Sequence, residues 1–478
     1  MMKNIIEHIL KQRQNNFLFL IMAISIIKCL VLFFAIEIIL TPNSPIGYFP
    51  DATMYERITD NVLAGKGFSV STASPFKPTM QKEPLYPFFI ALIKLFPQYS
   101  INFVVFIQIL LSPFIALLIY LIGKEIFTEK IARLSALLIA LIPIYGEMSF
   151  FIMPELLFTL LLCTAVLCLL KAQNSINLFW FILAGMLLGF STLCRNVALP
   201  LLFIYPITIL LSKNKENIKR KSLVLKLAVF MFSFAVVITP WMYRNYTKLG
   251  LFSISRRGGG ILSHQAYYAA NFSQEEWKAY SLYLLSGRLA QKLYPKIIGN
   301  NLGDYEYAYL AQTSYVDGLL EKYPEGKVER ILTHEAINNI VHHPVKYLLL
   351  STIVYIQTFK YFESIPLMLN RGHGFIVMSL IRLALFIIGI AYTFITFLGI
   401  LYGRRLFKYH LILVTIAYFH IILTSVGIIP GSLQRHILPI TVFYSFFAVI
   451  AIDKIIHKWQ AVRFFWYSRR TIGGGIGK

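Results

Sequence analysis

The chain has 478 residues, of which 57% are hydrophobic and 14% are charged. Ordinary soluble domains contain roughly 45–50% apolar and about 25% charged residues, so this composition excludes a water-soluble protein. The 45 Lys and Arg residues exceed the 22 Asp and Glu residues and give a net charge of +23. These charges separate apolar runs instead of forming a basic face on a soluble fold, which excludes nucleic acid as the expected partner and favours membrane lipid.

Ten apolar runs are long enough, or nearly so, to cross a bilayer, which requires about 20 helical residues. They occupy residues 17–40, 102–123, 131–147, 151–170, 178–194, 197–212, 223–241, 375–402, 409–429 and 437–453. A further run, 345–359, is short for a span, and we place it at the outer interface. The sequence therefore predicts an all-α polytopic membrane protein with about ten transmembrane helices.

The distribution of Lys and Arg favours ten spans over eleven, because short cytoplasmic loops carry most of the basic residues. With ten spans, the basic groups at 213–226, 404–408 and 454–478 all lie inside. An eleventh span at 345–359 would move the last two groups outside. We therefore predict that both termini are cytoplasmic.

This topology predicts a chain organised in four regions. They are an N-terminal transmembrane catalytic module at 1–241 with an outer loop at 41–101, an outer soluble or interfacial region at 242–374, C-terminal transmembrane helices at 375–453 and a basic cytoplasmic tail at 454–478. In the outer loop, the helical spacing of Met54, Ile58 and Val62 predicts an amphipathic helix over 52–63 that lies on the membrane.

Acidic residues are scarce, so those at the outer ends of spans are candidates for catalysis. Asp51 follows the first span, where a partly shielded carboxylate can act as a general base on a substrate hydroxyl. The same position suits a helix N-cap, and the two roles are compatible. Glu155 begins an apolar helix, where an ionisable group is costly unless it faces a polar cavity. The alternative for Glu155 is a snorkelled or paired carboxylate at the interface.

Further polar residues lie on the same predicted side. Glu83 precedes a proline at a helix start, so it is either a site residue or an acid that favours the helix N-terminus. Arg195, Arg244 and Arg435 lie at outer ends of spans, where three guanidiniums can bind a phosphate, with His436 as a further donor. Interfacial snorkelling is the alternative for each arginine.

Other ionisable or metal-binding side chains give weaker signals. The histidines and cysteines lack the spacing of a metal site, so no cofactor is predicted with certainty, and a divalent ion bound by carboxylates stays open. The four cysteines lie in or beside apolar runs without a CxxC pair, which is typical of small hydrophobic residues. Lys28, in the middle of the first run, requires a buried partner or cavity.

Taken in order, several segments resemble the GT-C superfamily of polytopic glycosyltransferases, in particular its bacterial family-39-like branch. That branch includes lipopolysaccharide-core galacturonosyltransferases, and its relatives include lipid A aminoarabinose transferases and protein O-mannosyltransferases. The segments are Asp51-Ala52-Thr53-Met54-Tyr55 with Leu63-Ala64-Gly65-Lys66-Gly67-Phe68, Glu83-Pro84-Leu85-Tyr86-Pro87, Pro154-Glu155-Leu156-Leu157-Phe158, Leu193-Cys194-Arg195, Pro240-Trp241-Met242-Tyr243-Arg244-Asn245-Tyr246 with Gly250, and Gln434-Arg435-His436-Ile437-Leu438-Pro439.

The resemblance implies a GT-C-like helical bundle in the bacterial inner membrane, with a role in the cell envelope. It implies a transferase that moves a sugar from a polyprenyl-phosphate donor to a lipid, glycan or protein acceptor on the periplasmic face. Asp51 would be the general base and Glu155 the second acid of the site. The donor would be held by Glu83, Arg195, Arg244, Arg435 and His436.

The main alternative is a transporter or flippase of a lipid-linked saccharide. Such a protein would use the same arginines for the phosphate but would not require Asp51 as a base.

Overall fold

The computed structural model describes residues 2–34, 50–96, 101–173, 177–211, 220–285, 292–298, 306–357, 375–403, 410–426 and 433–473. This part of the chain consists of helices joined by turns and loops and contains no β-strand, which confirms the all-α prediction. In chain order the helices are α1 (Met2–Phe34), α2 (Pro50–Leu63), α3 (Leu85–Lys94), α4 (Ile101–Leu111), α5 (Pro113–Ile126), α6 (Glu129–Leu141), α7 (Ile144–Glu147), α8 (Glu155–Gln173), α9 (Phe179–Cys194), α10 (Leu201–Leu211), α11 (Arg220–Leu249), α12 (Arg257–Asn271), α13 (Gln274–Leu285), α14 (Pro295–Ile298), α15 (Glu306–Lys322), α16 (Glu325–His342), α17 (Pro344–Gln357), α18 (Phe375–Tyr402), α19 (His410–Val426), α20 (Leu433–Thr441) and α21 (Tyr444–Gly473).

The described part of each predicted apolar run overlaps one helix or two consecutive helices, while residues 35–40, 212, 409 and 427–429 of these runs lie outside the described residues. The second run is divided into α4 and α5 at Pro113, because proline lacks an N–H and clashes with the preceding turn. In the described residues, the stretches long and apolar enough to span alone are Gln14–Phe34, Asn102–Ile126, Glu155–Gln173 and Ser222–Leu249, and shorter apolar helices accompany them. The chain is thus a multi-pass membrane protein, and its total of ten crossings stays a prediction.

Helix α17 corresponds to the short apolar run that we placed at the interface. Its 14 residues are about 21 Å long, which is less than the hydrocarbon core of about 30 Å. Two other helices pass through predicted region boundaries, α11 at residue 241 and α21 at residue 453. The change in composition at these positions therefore marks no break in the backbone, and the region boundaries stay predictions.

Close packing of α9 sets the position of its neighbours. A Cβ atom on Gly185 would collide with the backbone carbonyl of Phe230 in α11, and one on Gly189 would lie 2.9 Å from Cβ of Val237. Small residues four positions apart allow membrane helices to approach closely. On its other side α9 packs against α8, so α9 holds the ends of α8 and α11 together.

Helix α2 confirms the predicted helix in the first outer loop and packs partly on protein. Ala52, Tyr55 and Ile58 are buried, whereas Met54 is exposed. The reason is tertiary: α2 packs against α3, where the Tyr55 and Tyr86 rings meet edge to face at 5.0 Å. The protein-facing side of α2 therefore includes Ile58 of the predicted apolar stripe but not Met54, and contact of that stripe with the membrane stays a prediction.

The remainder of the first outer loop is attached to the outer region by Glu325, the first residue of α16. Its carboxylate accepts hydrogen bonds from Thr79 Oγ1 at 2.7 Å and from the backbone N of Met80 at 2.8 Å. The two outer segments of the chain therefore meet at the same end of the bundle.

Lys28, in the first span, has its hydrogen-bond partners at the end of α6. Its Nζ donates to the carbonyl oxygens of Ile139 at 3.2 Å and Ile142 at 3.1 Å, at the end of α6. Pro143 follows and interrupts the helix, which leaves these acceptors available. All four cysteines are buried and free, as predicted.

The loops predicted to be cytoplasmic also meet one another. Lys130 pairs with Asp453 at 2.6 Å, and Lys124 Nζ donates to Oε1 of Gln14 at 3.3 Å. These contacts join α1, the turn between α5 and α6, and α21 at one end of the bundle. Because α6 and α7 lead from this end to Glu155, the candidate catalytic residues lie at the other end.

Candidate active site

Glu155 and Arg195 form a buried ion pair, with Nη1 and Oε1 separated by 2.6 Å and only 8% and 5% of the Arg and Glu side chains exposed. Glu155 is the first residue of α8, where the helix dipole favours a carboxylate. Arg195 follows the last residue of α9. Helices α8 and α9 are antiparallel neighbours, so the start of one and the end of the other lie together.

Asp51 lies in the first turn of α2, which begins at Pro50, and is therefore not the N-cap residue. Its Oδ1 is 2.6 Å from Nζ of Lys82, and a quarter of the Asp51 side chain is exposed, against 4% for Lys82. The ammonium group also lies 5.0 Å from the Tyr55 ring. A buried cation at this distance stabilises the ionised form of the carboxylate.

Glu83 connects these two ion pairs. It directly follows Lys82, and its Oε1 accepts hydrogen bonds from Oγ of Ser255 at 3.0 Å and from the backbone N of Asn196 at 3.5 Å. Asn196 is the residue after Arg195. Glu83 is 3% exposed and precedes α3 by two residues, so it is a buried cross-link and not an acid of the first helical turn.

A second buried network holds the segment before Glu155 against α3. Tyr86 donates its hydroxyl to Oε1 of Gln108 at 2.8 Å. The amide of Gln108 in turn donates to the carbonyl oxygens of Ser149 at 3.0 Å and Phe151 at 2.8 Å. Tyr86 lies three residues after Glu83, and Phe151 lies four residues before Glu155. The network therefore links the segments that carry the Glu83 and Glu155 carboxylates.

Arg244 lies near the end of α11, within the predicted motif at residues 240–246. Its guanidinium donates to the carbonyl oxygens of Thr79 at 2.8 Å and Phe68 at 3.2 Å. It also lies 4.9 Å from the Trp241 ring and makes a hydrogen bond to the side chain of Asn245. These contacts attach the first outer loop to α11, and a role in phosphate binding stays a prediction for this residue.

Arg435 and His436 belong to α20, but their side chains lie outside the described residues. Their predicted roles as phosphate ligands are untested by the geometry. Sequence reasoning missed Lys82, Ser255 and Asn196. Lys82 directly precedes the motif that begins at Glu83, whereas no local signal marks the other two.

The carboxylates of the site face cations and hydrogen-bond donors, which is unlike a metal centre. Asp51 faces Lys82, Glu155 faces Arg195, and Glu83 accepts hydrogen bonds. Within the part of the chain that the structure describes, no group of three or more His, Cys, Asp or Glu side chains is arranged to hold a metal ion. We therefore derive no chemistry through a metal.

Part of the chain that includes most of this cluster matches a known protein family. Residues 77–243 match the family described as dolichyl-phosphate-mannose-protein mannosyltransferase. Asp51 lies upstream of the match. The match includes Lys82, Glu83, Glu155 and Arg195. No curated protein matches the chain.

The fold is similar to that of oligosaccharyltransferase structures from Archaeoglobus fulgidus. The enzyme tethered with an acceptor peptide has a TM-score of 0.51 and 16% identity, with 93% of this chain and 50% of that chain covered. The apo form has a TM-score of 0.51 and 16% identity, with 93% of this chain and 52% of that chain covered. The enzyme AglB in complex with an inhibitory peptide and a dolichol-phosphate has a TM-score of 0.50 and 15% identity, with 95% of this chain and 52% of that chain covered.

This chain therefore spans about half the length of the solved structures it resembles. At such low identity the likeness shows the fold alone, a helical bundle like that of these structures, which agrees with the predicted fold class. The chain is thus a multi-pass membrane protein that is similar in fold to oligosaccharyltransferases and, over residues 77–243, in sequence to a mannosyltransferase family.

Proposed function

We propose that the protein transfers a sugar from a polyprenyl-phosphate donor to an acceptor hydroxyl at the outer end of the bundle, on the periplasmic face of a bacterial inner membrane. The observation that carries this proposal is the polar cluster at the helix ends, in which Lys82, Glu83, Glu155 and Arg195 are buried and Asp51 is partly exposed. A donor with a long apolar tail stays in the bilayer. Its enzyme therefore needs a base and anion ligands at the level of the helix ends.

In the proposed reaction, Asp51 accepts the proton of the acceptor hydroxyl. The hydroxyl oxygen then forms a bond to the anomeric carbon from the side opposite the phosphate. The bond between the anomeric carbon and the phosphate oxygen breaks with inversion, and the phosphate leaves with the electron pair. Lys82 keeps Asp51 ionised before the transfer, and Glu155 holds the guanidinium of Arg195 in place.

Positively charged groups would favour the leaving phosphate, since preorganised donors stabilise charge that develops in the transition state. Support for a lipid-phosphate donor comes from the A. fulgidus AglB structure, which contains a dolichol-phosphate. The family match to a transferase does not favour the transporter alternative. The acceptor is a lipid, glycan or protein hydroxyl.

A transfer assay with purified full-length protein in lipid nanodiscs tests the proposal. The donors are a panel of sugars linked to farnesyl phosphate, and the release of farnesyl phosphate is measured. Asp51→Asn should lower kcat by at least about 100-fold, the usual contribution of a general base, with donor affinity unchanged. The matched control is Asp60→Asn, which alters an acid on the same helix that is 61% exposed and paired with Lys94.

The Asp60 variant should keep full activity. Full activity of Asp51→Asn would remove Asp51 from its role as the base. Failure of the wild-type protein to bind any farnesyl phosphate would contradict the proposed donor class.

A further inference from the structure

The residues that follow α11 form a short segment held in place from two sides. Nε1 of Trp241 donates to the carbonyl oxygen of Ile254 at 2.9 Å, and Asn245, which is fully buried, donates to the same oxygen at 3.0 Å. From the other side, the backbone N of Arg256 donates to the carbonyl oxygen of Met80 at 2.8 Å. The backbone at residue 256 is therefore fixed between α11 and the first outer loop.

This position lies beside the candidate active site. Ser255 is 1% exposed and donates to the same Oε1 atom of Glu83 that accepts the backbone N–H of Asn196. Arg256 is the next residue along the chain. Its side chain therefore starts one residue from the contact that links Glu83 to the Glu155–Arg195 pair.

The guanidinium of Arg256 is incompletely satisfied. Its Nη1 atom is buried and has no hydrogen-bond partner among the described residues, and the same holds for Oδ1 of Asn196. An arginine stays protonated in proteins. A buried donor on a charged group without a partner is costly, so this nitrogen is suited to a ligand that enters the site.

Arg256 differs in this respect from the other described arginines near the site. Arg195 is neutralised by Glu155 at 2.6 Å. Arg244 directs its N–H groups at the carbonyl oxygens of Thr79 and Phe68. Because neither has the buried open donor that Arg256 has, the anion of a substrate is best matched by Arg256. A guanidinium binds phosphate oxygens through parallel N–H groups.

We propose that Arg256 binds the phosphate of the lipid-linked sugar donor, and that Ser255, Glu83 and Met80 hold its backbone in position. This inference rests on the proposed function. It assigns the phosphate ligand to a residue that none of the recognised motifs contains. Arg256 would stabilise the negative charge that grows on the phosphate as the sugar is transferred.

The experiment measures binding of three probes to the full-length protein in nanodiscs: farnesyl phosphate, farnesol and inorganic phosphate. Arg256→Ala should weaken farnesyl phosphate binding by about 10- to 100-fold, the usual effect of losing a hydrogen bond to a charged group. Binding of farnesol, which lacks the phosphate, should not change. The matched control is Arg57→Ala, an exposed arginine on α2 in the same outer loop, which should bind all probes like the wild-type protein.

Each outcome decides the matter. Unchanged farnesyl phosphate affinity in Arg256→Ala overturns the assignment, and so does an equal loss of farnesol binding, which a purely structural role would cause. If the alanine variant does not fold, Arg256→Gln, which keeps a polar side chain of similar reach, is read in the same way. Binding of inorganic phosphate as tightly as farnesyl phosphate would overturn a lipid-linked ligand. If the wild-type protein does not bind farnesyl phosphate, both the proposed donor class and the role of Arg256 are overturned. If the Arg256 variants bind farnesyl phosphate as tightly as the wild-type protein, only the role of Arg256 is overturned.

Discussion

The Glu155–Arg195 ion pair should be the most consequential polar contact for the stability of the bundle. With more than nine-tenths of both side chains buried, little water screens the pair. Two unit charges about 4 Å apart attract each other by about 4 kcal/mol at an effective dielectric constant near 20. Removing one partner of a buried pair costs about 3–5 kcal/mol, since the remaining charge stays buried without compensation. Arg195→Gln should therefore lower the free energy of unfolding by that amount.

The measurement is a double-mutant cycle in mixed micelles, with unfolding followed by SDS titration. Arg195→Gln and Glu155→Gln should each be strongly destabilising, whereas the double variant should be more stable than the sum of the two losses predicts, because neither charge is then left alone. Lys130→Gln is the control, since its pair with Asp453 is 62% exposed on the lysine side and should contribute less than about 1 kcal/mol. Strict additivity of the two single losses would refute the pairing.

Two further predictions concern helix packing and pH. Gly185→Ala should destabilise the bundle by about 1–3 kcal/mol, because the added Cβ meets the backbone carbonyl of Phe230. Gly318→Ala, where nothing lies within 4 Å of the added Cβ, should be neutral or stabilising. SDS titration of both variants measures the difference in stability. Burial lowers the pKa of His264 in the outer region from 6.5 to about 4, so the folded state should lose stability as the pH falls from about 6.5 to about 4, by up to about 1.4 kcal/mol per pH unit. His264→Gln should flatten the pH dependence of the melting temperature over this interval, and an unchanged slope would show that other groups cause it.

Hydropathy alone located the helices of the bundle, because the bilayer demands a run of apolar residues that can be read from consecutive positions. The run at 375–402 and helix α18 have the same bounds. The placement of Asp51 and Glu155 at helix starts also followed from local sequence, since both adjoin the ends of apolar or amphipathic segments. These features depend on neighbours in the chain.

The partners of the charged side chains depended on the tertiary structure. Lys82 meets Asp51 from 31 residues away, Arg195 meets Glu155 from 40, and Arg244 meets Thr79 from 165. Such distances in sequence are closed only by the packing of several helices, in which glycines of α9 bring neighbouring helix ends together. Local composition therefore decided which residues stand at helix ends, whereas helix packing decided which charges neutralise one another.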